Sequence, residues 1–268
     1  MLWICGSSLL KQAKADSDAV VVSLRTGSRL GSLWEGVDAL RVRRAALVDA
    51  LLETCRDADN SALIDVRFGV RVTSIAETDA GVVLQTADGP PIEGDVLVGA
   101  DGIHSAARSL YVEPDRQPAY TGRAVAGAAV APEAAPQLAP ALRDTTLFQG
   151  LAGSLMASFA DTDRGQLHLS VVLGAAGEPD GDSEAAREGW RARGADRAAV
   201  RKDVLSRFQG CAVPGVAETL DAVEEWTMYP VYGLAPQGRW SRGRVIIIGD
   251  AAHAVSFRLG RGECWEWC

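Results

Sequence analysis

The chain has 268 residues, 47% of them hydrophobic and 23% charged, the composition of a folded globular protein with room for one large domain or two smaller ones. A formal net charge of −8 and a pI near 5.0, without any long run of arginines, argue against a nucleic-acid partner and for a small-molecule ligand. The five cysteines share no metal-ligand spacing, no secretory leader precedes them, and no apolar run approaches the ~20 residues of a membrane span, so a reduced, cytoplasmic protein with no membrane association and no metal is expected.

In chain order, Ala19 to Arg25 has strand character and Thr26-Gly-Ser28 supplies a turn. Asp38 to Cys55 places Leu40, Leu47, Val48, Leu51 and Leu52 at helical spacing, which predicts an amphipathic helix with Arg41, Arg43 and Arg44 near its start. From Ile64 the pattern changes to alternation through Val66, Phe68, Val70 and Val72, followed by Gly81 to Thr86 and an Asp88-Gly89 turn signal. Two or three antiparallel strands are expected there. Asp95 to Ala100 reads as a buried strand ending in Asp101-Gly102. Residues 111–238 read as an inserted region, with Pro- and Ala-rich linkers from Val130 to Pro140 and strands at Leu155 to Ala160 and Leu167 to Leu173. Helices follow at Ser183 to Arg193 and Asp196 to Phe208, then a β-rich aromatic stretch at Glu225 to Tyr232. Val245 to Ile248 is β-branched without interruption, the pattern of a parallel-sheet strand covered on both faces.

That last strand stops at Gly249 and delivers Asp250, followed by Ala251 and Ala252, which let a backbone come close. Ligands of open α/β sheets sit outside the carboxyl ends of the strands, so Asp250 is placed to meet a hydroxyl-rich ligand, the alternative being a helix cap. Asp101 ends the earlier strand in the same way and could accept from ligand hydroxyls. Ser105 reads first as an N-cap, and Arg108, one turn later, offers a planar fork to a phosphate.

Asp101-Gly-x-x-Ser105-x-x-Arg108 and Arg244-Val-Ile-Ile-Ile-Gly-Asp250-Ala-Ala-His resemble, in this order, the two internal fingerprints of the single-component FAD-dependent aromatic monooxygenases, the group typified by para-hydroxybenzoate hydroxylase. Arg44-Ala-Ala-Leu47 is similar to the Arg-x-x-Leu at the start of that family's helix before the central strands. Trp226 to Trp240, then Gly243-Arg244-Val245, is similar to its approach to the last flavin strand. The resemblance implies that Asp250, within Gly249-Asp250-Ala251, hydrogen-bonds a ribityl hydroxyl of FAD. It places Asp101 and Gly102 near the flavin and the pyridine-nucleotide path, Arg108 on NAD(P)H phosphate, and Arg44 close to the FAD pyrophosphate or flavin. Gly260 and Gly262 are the survivors of a Gly-rich turn with backbone contacts to the cofactor. His253 reads as a packed residue, and Phe148, Phe159, Met228, Tyr229 and Tyr232 are substrate-wall candidates whose ordinary place is the core. No catalytic residue is assigned.

The implied activity is insertion of one oxygen atom of O2 into an aromatic or polyketide-like small molecule through a flavin C4a-hydroperoxide, with FAD and NAD(P)H as cofactors. Two departures stand against it. The family opens with a strand and a Gly-x-Gly-x-x-Gly turn, whereas the only Gly-x-Gly here is Gly260-Arg-Gly262, with Trp265 at the third glycine's place. After Ser256 the family continues with Pro and then Leu-Gly-Gln-Gly, where this chain has Phe257-Arg-Leu-Gly-Arg-Gly262. The expected fold is α/β, α+β overall: an incomplete FAD-binding domain from 35–110 and 239–268, interleaved with a β-rich substrate domain from 20–34 and 111–238, with 1–19 unassigned. The alternative is a non-catalytic fragment of such an enzyme lacking the ADP-binding module. A halogenase reading finds only the terminal Trp265-Glu-Trp267 in place of that group's Trp-x-Trp-x-Ile.

Overall fold

A computed structural model of the chain describes residues 14–16, 19–32, 39–57, 60–143, 145–159, 161–174 and 184–255. The expectations placed on Gly260, Gly262 and Trp265-Glu-Trp267 lie outside the described residues.

The chain opens with short strands β1 (Lys14–Asp16), β2 (Ala19–Ser23), β3 (Arg29–Ser32) and β4 (Ala39–Arg41), followed by helix α1 (Arg44–Arg56). The helix predicted from Asp38 therefore starts six residues later, because Ala39 to Arg41 pair antiparallel with β1 instead. Next come β5 (Val72–Glu77), β6 (Val82–Thr86), β7 (Ile92–Gly94) and β8 (Leu97–Gly99), a π-helical turn at Arg108–Val112, and the long strand β9 (Ala119–Val130). Then follow α2 (Leu138–Ala141), β10 (Thr145–Gln149), β11 (Gly153–Phe159), β12 (Leu167–Gly174), α3 (Glu184–Ala195), α4 (Arg197–Phe208) and α5 (Val216–Asp221). The described chain closes with β13 (Thr227–Gly233), β14 (Ser241–Arg242), β15 (Val245–Ile247) and the single turn α6 (Asp250–His253). The fold is α+β, with mixed sheets in which β2 pairs parallel with β10 and β8 parallel with β15.

The described residues divide into two compact units, one lying within 1–66, 124–175 and 190–229, the other within 67–123, 176–189 and 230–268. The first carries a seven-stranded sheet in the order β13-β9-β12-β11-β10-β2-β3. Strand β12 shows why it forms: Leu167, Leu169, Val171 and Leu173 are buried on one face while His168, Ser170 and Val172 alternate on the less buried one. Helix α4 covers the apolar face with Val200, Val204 and Phe208 at four-residue spacing, and the Asp196 carboxylate caps it by accepting the Ala199 N–H at 3.0 Å. Burying each such large apolar side chain contributes ~1.5–3 kcal/mol.

The second unit holds the antiparallel meander β5-β6-β7 and the three-stranded sheet β14-β15-β8. Its core joins Ile75 and Val82 to Ala107, Val112, Val245, Ile247, Ala251 and Ala252. Two expectations are corrected. The strand predicted from Ile64 begins only at Val72. Val66, Phe68 and Val70 are exposed and lie in no strand, since an alternating segment needs a neighbouring strand to hold its ladder. Val245 and Ile247 are fully buried, but Ile246 is 39% exposed, so β15 is covered on one face and not on both.

Candidate functional site

Strands β8 and β15 run parallel with Gly99 opposite Ile247, so the chain leaves both at the same end of the sheet. The Ile248 N–H donates to the Gly99 carbonyl at 2.9 Å, which carries the ladder to the point where the turns begin. Gly99 permits a close approach, since a Cβ there would lie 2.4 Å from the Cβ of Ala107. Gly249 turns the second strand with φ +58°, a backbone region that glycine enters without steric cost, and a Cβ built there meets nothing within 4 Å. Gly102 likewise has φ +79° and open space around it.

The Asp101 carboxylate turns back on its own helix. One oxygen accepts from the Ser105 hydroxyl at 2.5 Å, and the other accepts the N–H groups of Ala106 at 2.7 Å and Ala107 at 3.1 Å. The Ser105 oxygen in turn accepts the Arg108 N–H at 2.9 Å, as an N-cap should. Asp101 and Ser105 thus divide between them the donors that a helix start leaves unpaired.

Arg108 is 1% exposed, and its guanidinium donates to three carbonyls: Arg116 at 3.2 Å, Ala251 at 2.8 Å and Ile103 at 2.5 Å. It therefore ties the turn after β8 to the turn after β15. Arg116 does the same from the next loop, donating to Ala252 at 2.8 Å and through Nε to Ala235 at 3.0 Å, with Glu113 at 3.5 Å. The last carbonyls of a helix have no intrahelical donor, and here two arginines supply them. Nothing in the sequence marked Arg116, because the two carbonyls it braces, Ala235 and Ala252, lie more than a hundred residues away in the chain.

Asp250 opens α6 and is exposed, while Ala251 and Ala252 beside it are fully buried. Among the described residues its carboxylate has no hydrogen-bond partner. His253 is exposed and stacks on the half-exposed Trp240, with ring centroids 4.9 Å apart and planes 19° from parallel. Arg44 is exposed at the start of α1, in the first unit.

Of the substrate-wall candidates, Phe148 and Phe159 are buried in the first unit's core and Met228 packs against it. Tyr229 is exposed. Tyr232 meets His104 edge-on at 5.4 Å and Tyr120 at 5.9 Å, a ring cluster that joins residues distant in the chain and that residue spacing did not announce. Next to the arginine brace lies a cavity of about 790 Å³, whose lining includes Glu113, Arg116, Gln117, Gln237, Arg239 and Arg242. Asp101, Gly249 and Asp250 do not line it. Nearby, the Tyr111 hydroxyl donates to Glu77 at 2.7 Å, and this hydrogen bond pushes the phenol above its ordinary 10.0. Among the described residues no group of His, Cys, Asp and Glu is arranged to hold a metal ion, and no helix is long and apolar enough to cross a membrane.

No family model matches the chain. It is 33% identical over 199 residues to the 3-amino-4-hydroxybenzoate 2-monooxygenase of Streptomyces platensis, covering 74% of this chain and 46% of that protein. It is also 33% identical over 202 residues to the FAD-dependent urate hydroxylase of Klebsiella pneumoniae, covering 74% of this chain and 47% of that one. The chain thus spans about half the length of the curated relatives it matches. A solved salicylate hydroxylase substrate complex has the same fold, with a TM-score of 0.72 at 20% identity over 93% of this chain and 62% of that one. Sequence relatives and the two motif turns agree, and over the matched length the chain belongs to the FAD-dependent monooxygenases of the flavoprotein hydroxylase type.

Proposed function

We propose that this chain is the flavin-turn and substrate-domain portion of an FAD- and NAD(P)H-dependent monooxygenase that acts on an aromatic or polyketide-like small molecule. The observation that carries this reading is the pair of strand-end turns, at Asp101 and Asp250, set side by side on β8 and β15 and tied together by Arg108. Overall, NAD(P)H gives two electrons, one atom of O2 enters the ring as a hydroxyl, and the other leaves as water. FAD, when bound, supplies the electron transfer and the oxygen chemistry.

The residues present fit one part of that cofactor. Asp250 offers an exposed carboxylate beside open space at Gly249, suited to accept from a ribityl hydroxyl, and the buried Ala251 and Ala252 hold it in place. Asp101 and Arg108 have other partners, so in this reading they position the turn and do not grip NAD(P)H phosphate. Arg44 stands as the pyrophosphate candidate, exposed at its helix start. No described residue forms a Gly-x-Gly-x-x-Gly cradle for the ADP half. A second reading, a non-catalytic fragment or remnant of such an enzyme, is compatible with a match to about half of the relative's length.

Purifying the chain with excess FAD and measuring flavin content and NAD(P)H oxidation with a panel of phenols separates the two. The enzyme reading expects retained flavin and oxidation stimulated by at least one phenol. Absence of both would falsify it for this polypeptide.

A further inference from the structure

The cavity beside the arginine brace is set apart from both flavin turns, since Asp101, Gly249 and Asp250 do not line it. Its volume of about 790 Å³ lies within the ~300–1,000 Å³ usual for small-molecule sites. The lining comes from the second unit alone, from 112–117, 235–239 and Arg242. Both stretches have unusual backbone. The first begins where the π-helical turn Arg108–Val112 ends, and π turns are rare and concentrate at functional sites. In the second, Gln237 has φ +65°, uncommon for a residue other than glycine. Gly238 beside it lies so close to the Arg116 guanidinium that a Cβ would not fit.

The charged groups of the lining are unevenly engaged. Glu113 accepts the Arg239 N–H at 3.0 Å and lies 3.5 Å from Arg116, while Arg116 donates to the carbonyls of Ala235 and Ala252. Those two side chains are occupied. Among the described residues, the Arg239 guanidinium has no partner, and neither has the Asp115 carboxylate. Arg242 uses one nitrogen, its Nη1 donating to the Tyr111 carbonyl at 2.9 Å. Its guanidinium also lies 4.7 Å from the centre of the Tyr111 ring, whose hydroxyl donates to Glu77. That stacking holds the fork in place and leaves its other donors open. Two guanidiniums with open donors are thus set against one open carboxylate, and the local balance is positive in a chain whose net charge is −8.

We propose that this cavity binds a small organic anion, a carboxylate or a phosphate ester, through Arg239 and Arg242, with its carbon body against Val112, Pro114 and Pro236. A planar guanidinium matches both head groups, and a preorganised one binds them at lower cost in lost side-chain freedom. The space far exceeds what an inorganic ion fills, and the apolar part of the lining favours a body over a bare ion. Asp115 opposes the head group by like charge. This is a site beyond the FAD and substrate contacts of the proposed function, and it stands independently of them.

The test is an NMR chemical-shift titration of the purified chain with butyl phosphate and with pentanoate, which share a butyl body and differ in head group. Inorganic phosphate and butan-1-ol serve as the head and the body alone. The expected result is saturable shifts confined to the lining residues with at least one of the two anions, the tighter one naming the head group. Inorganic phosphate should bind more weakly than butyl phosphate, and butan-1-ol should not bind there. Arg239→Gln and Arg242→Gln, each with the circular dichroism of the parent, should weaken the tighter anion at least ~tenfold, and Asp115→Asn should tighten it. Excess FAD should leave the anion bound. Four results would overturn the proposal: no saturable shift with either anion, binding that survives both arginine substitutions, inorganic phosphate as tight as butyl phosphate, or displacement of the anion by FAD.

Discussion

At the scale of single residues, the two motif turns are held by side chains that are mostly spent on the protein itself. Arg108 is buried with its guanidinium on three carbonyls, and removing it leaves those carbonyls without donors inside the second unit's core region. Arg108→Ala should therefore cost about 3 kcal/mol or more, read as a lower midpoint in urea unfolding. Arg116→Ala, whose partners lie nearer the surface, should cost less in stability. Asp250 was legible in the sequence because a β-branched run that breaks at Gly-Asp must put the carboxylate at the strand's carboxyl end. The capping role of Ser105 was legible for the same kind of local reason. Arg116 was not, because its task depends on three loops that meet only once the chain has folded, and the motif spacing of Arg108 gave its place but not its partners.

At the scale of elements, strands that alternate with large aliphatic residues were readable and the others were not. β12 falls where its leucines and valines predicted it, whereas β9 runs twelve residues through a mostly small-residue sequence, Ala-Tyr-Thr-Gly-Arg-Ala-Val-Ala-Gly-Ala-Ala-Val, with little β preference of its own. The sheet around it imposes that strand. Val66, Phe68 and Val70 show the reverse, a strand-like alternation that is exposed and lies in no strand among the described residues. The junction of β8 with its helix is tight enough that Gly99→Ala should destabilise by ~1–3 kcal/mol, because the new Cβ would press into Ala107. A differential scanning fluorimetry shift to lower temperature checks this. In the first unit, burial pushes the His168 imidazole below its ordinary 6.5, Asp161 opposes this, and Arg43 and Arg41 add to it. Its Nε2 is buried and has no hydrogen-bond partner among the described residues. Folded His168 stays neutral while the unfolded chain takes up a proton below 6.5, so stability is full above that pH and declines as pH falls toward the lowered folded value. Urea midpoints across that window should fall with acidification in the parent and fall less in His168→Gln.

At the scale of the whole molecule, the chain combines a sheet-rich unit with a large apolar core and a second unit in which, among the described residues, the β8 edge of the parallel pair has no neighbouring strand. The central claim is that the turn after β15 meets FAD through Asp250. A fluorescence titration of FAD against the parent chain and Asp250→Ala, both checked for unchanged circular dichroism, tests it most directly. Losing a hydrogen bond to a charged acceptor costs ~1.5–3 kcal/mol, so the account predicts saturable quenching by the parent and an affinity at least ~tenfold weaker in the variant. Equal affinity of the two, or no binding by the parent, would contradict it.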